Sequence, residues 1–132
     1  MLILAIETAS SQAGCAIGGH EGVLASAHTG IGGRHAESIS PQIAFIREQA
    51  GIHFSELGAI AVDVGPGLFT GLRVGIATAI SMAHALTLPV IGISSLDLLA
   101  FPARWTSRLI VSAMDARRGE LFTALFLSLI HI

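Results

Sequence analysis

The chain has 132 residues, of which 52% are hydrophobic and 12% are charged, and its net charge is −2. This length allows one domain with a packed core, and this composition excludes a disordered chain. All 7 basic residues are arginines, so a broad basic surface for nucleic acid is excluded, apart from one small group: Arg104, Arg108, Arg117 and Arg118.

The single cysteine, Cys15, excludes a disulfide framework and a cysteine-rich zinc site. It lies in an alternating apolar stretch, so we predict a buried, unreactive thiol. The N-terminal residues MLILAIETAS lack the basic region and the apolar length of a signal peptide. We therefore expect a cytoplasmic protein.

The beginning of the chain predicts three strands. The apolar run LILAIET, residues 2–8, is typical of a buried central strand, and it ends near an acid, Glu7. Two shorter strands are predicted over residues 14–17 and 22–28, on either side of the turn GGHEG. Together these segments predict a three-stranded meander.

A helix is predicted next, over residues 35–50. Apolar residues recur there at the spacing of one helix face: Ile39, Ile43 and Ile46. Pro41 is expected near the first turn, where its missing N–H costs little, and Gly51 ends the helix.

The second half predicts alternating strands and helices. LGAIAVD forms a fourth strand, and a second helix follows over residues 70–86 and ends before Pro89. PVIGIS forms a fifth strand, and SLDLLA a short helix capped by Ser94 or Ser95. RLIVSAMDAR and GELFTALF then predict a hairpin, which gives the order βββαβαβα followed by ββ.

The stretch VDVGPGLFTGLRVGI, residues 62–76, is the densest motif of the sequence. A P-loop needs a lysine, and the chain has none. A dinucleotide-binding motif needs tighter spacing than that of the three glycines: Gly65, Gly67 and Gly71. We therefore favour a sharp turn, with Phe69 packed down and Thr70 capping the helix, over an anion contact at the helix N-terminus.

The helix after this loop has small residues over much of its surface, so another helix can approach it closely. The sequence leaves open whether this packing lies inside the fold or across an interface. Residues 74–96 are long enough to span a membrane, but they are rich in small residues and include His84 and Pro89. We predict no membrane span.

Five motifs together resemble one family: ILAIETAS, RHAESISPQI, VDVGPGLFTGLRVGIATA, GISSLDLLA and MDARRGELF. In this order they resemble the bacterial TsaB (YeaZ) family of tRNA threonylcarbamoyladenosine biosynthesis proteins, in the glycoprotease-like (M22) superfamily. The resemblance covers residues 2–126. It implies an α/β fold of the actin, sugar kinase and Hsp70 type (ASKHA, ribonuclease H-like), with a five-stranded mixed sheet flanked by helices.

The resemblance also implies a domain division. Residues 1–104 are expected to form the first actin-like ATPase-fold domain, and residues 105–126 the opening hairpin of a second, truncated domain. The last residues, LSLIHI (127–132), resemble a translated sequencing adapter, so we expect them to be foreign to the natural chain.

The implied function is that of a non-catalytic scaffold for the catalytic subunit TsaD and the ATPase TsaE. Their complex, which uses ATP and Mg²⁺, adds a threonylcarbamoyl group to N6 of adenosine 37 in tRNAs that read ANN codons. The two long helices are expected to pair with TsaD or with a second copy of the chain, through these residues: Ile39, Ile43, Ile46, Gly71, Arg73, Gly75, Ala79 and Ala83. The alternative is an active enzyme of the same fold, either metallopeptidase-like or a small-molecule kinase.

Two residues depart from the family pattern near the place where kinase relatives hold phosphates. Glu7 replaces an aspartate, and Leu68 replaces a serine whose hydroxyl could contact an anion. We expect at most a vestigial nucleotide or anion site, formed by these residues: Glu7, Thr8, Gly65, Gly67 and Thr70.

Other candidate site residues have structural interpretations. The catalytic relative binds its metal through two histidines four residues apart, whereas here Ile39 follows His35, so we expect no metal and a helix cap or surface role for His35. Asp63 ends a strand. Asp115 is expected to pair with Arg117 or Arg118 and fix the hairpin. Arg73 is expected to contact the glycine loop or a partner subunit.

Overall fold

The computed structural model describes residues 1–30 and 35–127 of the chain. The strands are β1 (Leu2–Glu7), β2 (Ala13–Gly19), β3 (Gly22–Thr29), β4 (Leu57–Asp63), β5 (Val90–Ile93), β6 (Ile110–Arg117) and β7 (Glu120–Phe126). The helices are α1 (His35–Ala50), α2 (Phe69–Leu86) and α3 (Ser95–Ala100), with short 3₁₀ turns at Phe54–Glu56 and Phe101–Ala103. The predicted order of strands and helices is confirmed.

The first five strands form one mixed sheet in the order β3-β2-β1-β4-β5. β1 pairs with β2 in antiparallel and with β4 in parallel orientation, and β5 extends the parallel part. β1 lies between two other strands, and its Leu4 and Ile6 side chains are buried in the core. This topology is that of an ASKHA, ribonuclease H-like domain.

The main core lies between the sheet and the two long helices. α1 packs on β2 and β3, and α2 packs on β4 and β1. The helical period of α1 turns its isoleucines inward, where they meet strand residues such as Leu4, Ile17 and Ile60. This burial of apolar side chains on one helix face is what stabilises the layer.

The hairpin β6–β7 forms a separate two-stranded sheet and packs on α3. The Ser112 hydroxyl of β6 donates a hydrogen bond to the Leu96 carbonyl of α3 at 2.9 Å. The expectation that residues 105–126 begin a second domain stays a prediction. Residues 128–132 of the proposed foreign tail lie outside the described residues.

Three local predictions about the helices are wrong. α2 begins at Phe69 with Leu68 at the N-cap, so Thr70 is a helical residue and not the cap. The reason is that the Leu68 N–H already bonds the Ala9 carbonyl, which fixes the start of the helix before Thr70. Phe69 is 72% exposed and does not pack down. Pro41 lies in the second turn of α1, on its exposed side.

Within the described residues, α2 is the one helix long and apolar enough to cross a membrane, and the core helix of a soluble protein passes the same test. Four residues of α2 are buried in the chain: Gly71, Gly75, Ala79 and Ala83. The helix therefore packs as part of the α/β layer.

Candidate functional site

The glycine loop between β4 and α2 is held by a buried carboxylate. Asp63 is 4% exposed, and its Oδ1 accepts a hydrogen bond from the Gly65 N–H at 2.8 Å and one from the Ser95 hydroxyl at 2.6 Å. Ser94 is the cap of α3, with its Oγ accepting from the Leu96 N–H at 3.1 Å. Asp63 therefore ties the loop to the start of α3.

The other side of the loop packs against the residues that follow β1. The Leu68 N–H donates to the Ala9 carbonyl at 2.7 Å. A Cβ atom at Gly67 would lie 2.6 Å from the Cβ of Ala9, so glycine is required there for close packing. The N–H groups of Gly65 and Leu68 are thus engaged within the chain, and this part of the loop does not fit a phosphate cradle, which needs free N–H groups.

Glu7 closes the turn between β1 and β2. Its Oε1 accepts hydrogen bonds from the N–H groups of Ala9 (2.6 Å) and Ser10 (3.1 Å), and its Oε2 accepts one from the Ser10 hydroxyl (3.2 Å). Glu7 and Asp63 both line a cavity of about 280 Å³ next to α3. In the described part of the chain, no group of three or more histidine, cysteine, aspartate or glutamate residues is placed to hold a metal.

Thr8 joins β1 to α2. It is fully buried, and its hydroxyl donates to the Gly71 carbonyl at 2.6 Å. A Cβ at Gly71 would collide with the Thr8 carbonyl oxygen, and one at Gly75 would collide with the Thr8 hydroxyl. The two glycines therefore let α2 lie directly on the end of β1.

This packing decides where most of the predicted interface residues lie. Seven of the eight are buried in the core of the chain itself: Ile39, Ile43, Ile46, Gly71, Gly75, Ala79 and Ala83. Their small or apolar side chains serve the contact of the helices with the sheet, so a partner has to use the neighbouring outward positions. Arg73 is exposed, and its guanidinium carbon lies 5.4 Å from the centroid of the Phe69 ring.

His35 is the first residue of α1 and is only 7% exposed. Its Nε2 lies 2.9 Å from the Ser10 carbonyl oxygen. The prediction of a cap or surface role is wrong, because the turn after β1 folds over the ring and supplies a polar partner. His35 also lines a groove of about 590 Å³ with residues 67–71 and Arg117.

The hairpin contributes Arg117 to this groove from a left-handed backbone position, with φ of 65°. The Asp115 Oδ1 accepts a hydrogen bond from the Arg117 N–H at 2.7 Å. The predicted pairing of Asp115 with Arg117 is thus made, through the backbone of the arginine, and it shapes the turn of the hairpin.

The sequence did not predict which residues of the two long helices face outward. Between α1 and α2 lies a groove of about 370 Å³, lined by Ser40, Ile43, Ala77, Thr78, Ser81 and Met82. On its outward side, α2 also exposes Phe69 (72%) at its first turn and Ile80 (55%) beside the groove residues. We call Phe69, Ile80 and the residues that line this groove the helix-pair face. The sequence indicated this surface only by the apolar residues that occur on more than one side of α2.

The chain matches the family described as "TsaD: tRNA N6-adenosine threonylcarbamoyltransferase" over residues 25–129. The tRNA threonylcarbamoyladenosine biosynthesis protein TsaB of Bacillus subtilis is 33% identical over 126 residues, which are 96% of this chain and 55% of that protein. TsaB of Escherichia coli is 36% identical over 128 residues, 94% of this chain and 54% of that protein. The chain thus spans little more than half of the length of these relatives.

The solved structure of YeaZ from Pseudomonas aeruginosa superimposes with a TM-score of 0.86 at 30% identity, and the match covers 96% of this chain and 59% of that one. The fold and the motifs together define a protein of the ASKHA, ribonuclease H-like class. The chain belongs to the TsaD family of tRNA N6-adenosine threonylcarbamoyltransferases, and within it the TsaB (YeaZ) proteins are similar to it over nearly its whole length.

Proposed function

We propose that this chain is a non-catalytic scaffold subunit in the cytoplasm, in the complex that adds the threonylcarbamoyl group to N6 of adenosine 37 of tRNAs reading ANN codons. In this proposal the helix-pair face binds TsaD, the assembled pair recruits TsaE, and tRNA is bound through the complex. A second copy of the chain can occupy the same face, so homodimerisation competes with TsaD binding.

The observation that carries the proposal is the outward side of α2. This 18-residue helix places four residues in the core of the chain, and its outward side exposes the large apolar side chains of Phe69 and Ile80 among polar residues. Exposed apolar side chains next to a groove are typical of an interaction surface. Ala77 and Ser81 border the groove, and such small side chains allow the backbone of another helix to approach closely.

The glycine loop supports a scaffold role over the alternative of an active kinase or metallopeptidase-like enzyme. Glu7 and Asp63 accept hydrogen bonds that close turns, and the N–H groups of Gly65 and Leu68 are engaged. ATP and Mg²⁺ are therefore assigned to the partner subunits, and we propose no step on this chain that uses them.

The test is the capture of TsaD and TsaE from the same organism by the tagged full chain, with ATP and Mg²⁺ present. Ile80→Glu places a charge in the centre of the helix-pair face. We expect it to weaken capture by about tenfold or more, as hot-spot residues do. The matched control is Leu24→Glu on β3, which is 47% exposed and does not line the groove of the helix-pair face.

The proposal predicts normal capture by the Leu24→Glu variant. Capture of both partners at wild-type strength by Ile80→Glu would exclude the helix-pair face. Failure of the wild-type chain to capture either protein would exclude the scaffold role itself.

A further inference from the structure

The segment between α3 and β6 presents aromatic and cationic side chains that neither the fold nor the helix-pair face uses. The guanidinium carbon of Arg104 lies 4.0 Å from the centroid of the Phe101 ring and 5.1 Å from that of Trp105. Trp105 is 72% exposed and Phe101 is 56% exposed. Arg108 is exposed three residues further on. We call these four residues the aromatic–arginine platform.

The backbone of this segment is fixed by its own hydrogen bonds. The Phe101 carbonyl accepts from the Arg104 N–H at 3.1 Å and from the Arg104 Nη1 at 3.0 Å. The Thr106 N–H donates to the Ala103 carbonyl at 3.0 Å, and the Thr106 hydroxyl oxygen accepts from the Arg108 N–H at 3.2 Å. The backbone of the segment and the Arg104 guanidinium are thus held in place before any ligand arrives, which lowers the entropic cost of binding.

The charge of the segment contrasts with that of the whole chain. The chain carries a net charge of −2, whereas residues 98–114 contain Arg104 and Arg108 and no acidic residue. The flanking acids are Asp97 on α3 and Asp115, which is engaged with the hairpin backbone. Exposed aromatic faces with unopposed arginines fit a ligand that has both flat rings and negative charges.

We propose that the aromatic–arginine platform binds single-stranded RNA, with an unpaired base stacked on Trp105 and the adjacent phosphates neutralised by Arg104 and Arg108. Base stacking on an aromatic ring combined with arginine contacts to the backbone is the usual chemistry of such binding. The choice of RNA rests on membership of a tRNA-modification family, and it does not depend on the scaffold role. Nearby exposed Leu99 and Leu109 make a protein partner the competing occupant, which the test distinguishes.

Intrinsic fluorescence reports directly on this site, because Trp105 is the single tryptophan and the chain has no tyrosine. The full chain is titrated with a short RNA hairpin that carries an unpaired loop, and with a fully paired RNA duplex of the same composition. We expect saturable quenching by the hairpin and much weaker quenching by the duplex. Two arginine contacts to single-stranded phosphates predict a slope of about −1.4 when log K is plotted against log salt concentration.

Variants are compared by the anisotropy of labelled hairpin RNA. Trp105→Ala is expected to weaken binding about tenfold, and Trp105→Phe to retain most of it, since a ring remains for stacking. The matched control is Phe69→Ala, because Phe69 is equally exposed and also contacts an arginine, but lies on α2. Urea melts of each variant establish that it is folded.

The proposal predicts that Phe69→Ala leaves RNA affinity unchanged, even if this substitution weakens the capture of TsaD. The RNA site and the scaffold role can therefore be disproved independently. Absence of quenching by the hairpin overturns the RNA site, as does equal loss of affinity in the Phe69 and Trp105 variants. A Trp105→Ala variant that keeps RNA affinity but loses a protein partner assigns the platform to protein binding and overturns the proposal.

Discussion

Three polar side chains at the ends of strands and helices hold the neighbouring turns by hydrogen bonds. Glu7 and Asp63 accept hydrogen bonds from backbone N–H groups, and the His35 ring bonds a backbone carbonyl. Their positions at strand and helix ends could be read from the sequence. Their distant partners could not, because Ser10 meets His35 and Ser95 meets Asp63 only when the fold brings these segments together.

Cys15 gives a prediction at the residue scale. It is 6% exposed, and burial raises the pKa of its thiol from 9.0 to about 11. The neutral thiol is thus favoured in the folded chain, so this residue's contribution to stability is complete below pH 9 and is lost as the pH rises through about 11. At pH 8 the thiolate fraction is about one hundredth of that of an unfolded chain.

We therefore expect iodoacetamide to alkylate the native chain at least about a hundred times more slowly than the chain in urea, because the thiolate is the reactive form. Mass spectrometry counts the single adduct over time. Equal rates with and without urea would show that Cys15 is accessible and ionises normally.

At the scale of elements, the sequence located α2 to within one residue of its N-terminal start but did not assign its faces. Small residues occur on both its buried and its outward side, so periodicity could not separate core from interface. The contact with β1 separates them: Gly71 and Gly75 meet Thr8, whereas Ile80 points away from the core. Thr70 was misassigned as the cap because α2 begins one residue earlier than predicted, at Phe69, with Leu68 at the N-cap.

The contact between α2 and β1 predicts coupled mutations. Gly75→Ala adds a Cβ that collides with the Thr8 hydroxyl, so we expect it to lower the free energy of unfolding by about 1–3 kcal/mol. Thr8→Ala removes that hydroxyl, so the same glycine substitution should cost at least about 1 kcal/mol less in that background. Urea denaturation of the wild type, the two single variants and the double variant measures the interaction free energy of the two substitutions.

Gly30→Ala is the control for this cycle, because a Cβ at Gly30 meets no atom of the described residues within 4 Å. It should change the free energy of unfolding by less than about 0.5 kcal/mol. Additive effects of the Thr8 and Gly75 substitutions would show that the helix does not rest on the hydroxyl.

At the scale of the whole molecule, the fold class and the family could be predicted because the motifs occur in an order that matches the βββαβαβα succession of elements. What the rest of a full-length relative adds could not be predicted, since the chain spans about 54–55% of the Bacillus and Escherichia relatives. The hairpin exposes Val111, Leu121 and Leu125. That residues 105–126 begin a second domain remains a prediction.

The most direct test of the scaffold role is reconstituted transfer of a labelled threonylcarbamoyl group to tRNA by TsaD and TsaE from the same organism. We predict that incorporation requires the full chain, falls about tenfold or more with Ile80→Glu, and is unchanged with Leu24→Glu. Incorporation that is independent of the chain, or that the chain catalyses without TsaD, would contradict a non-catalytic scaffold.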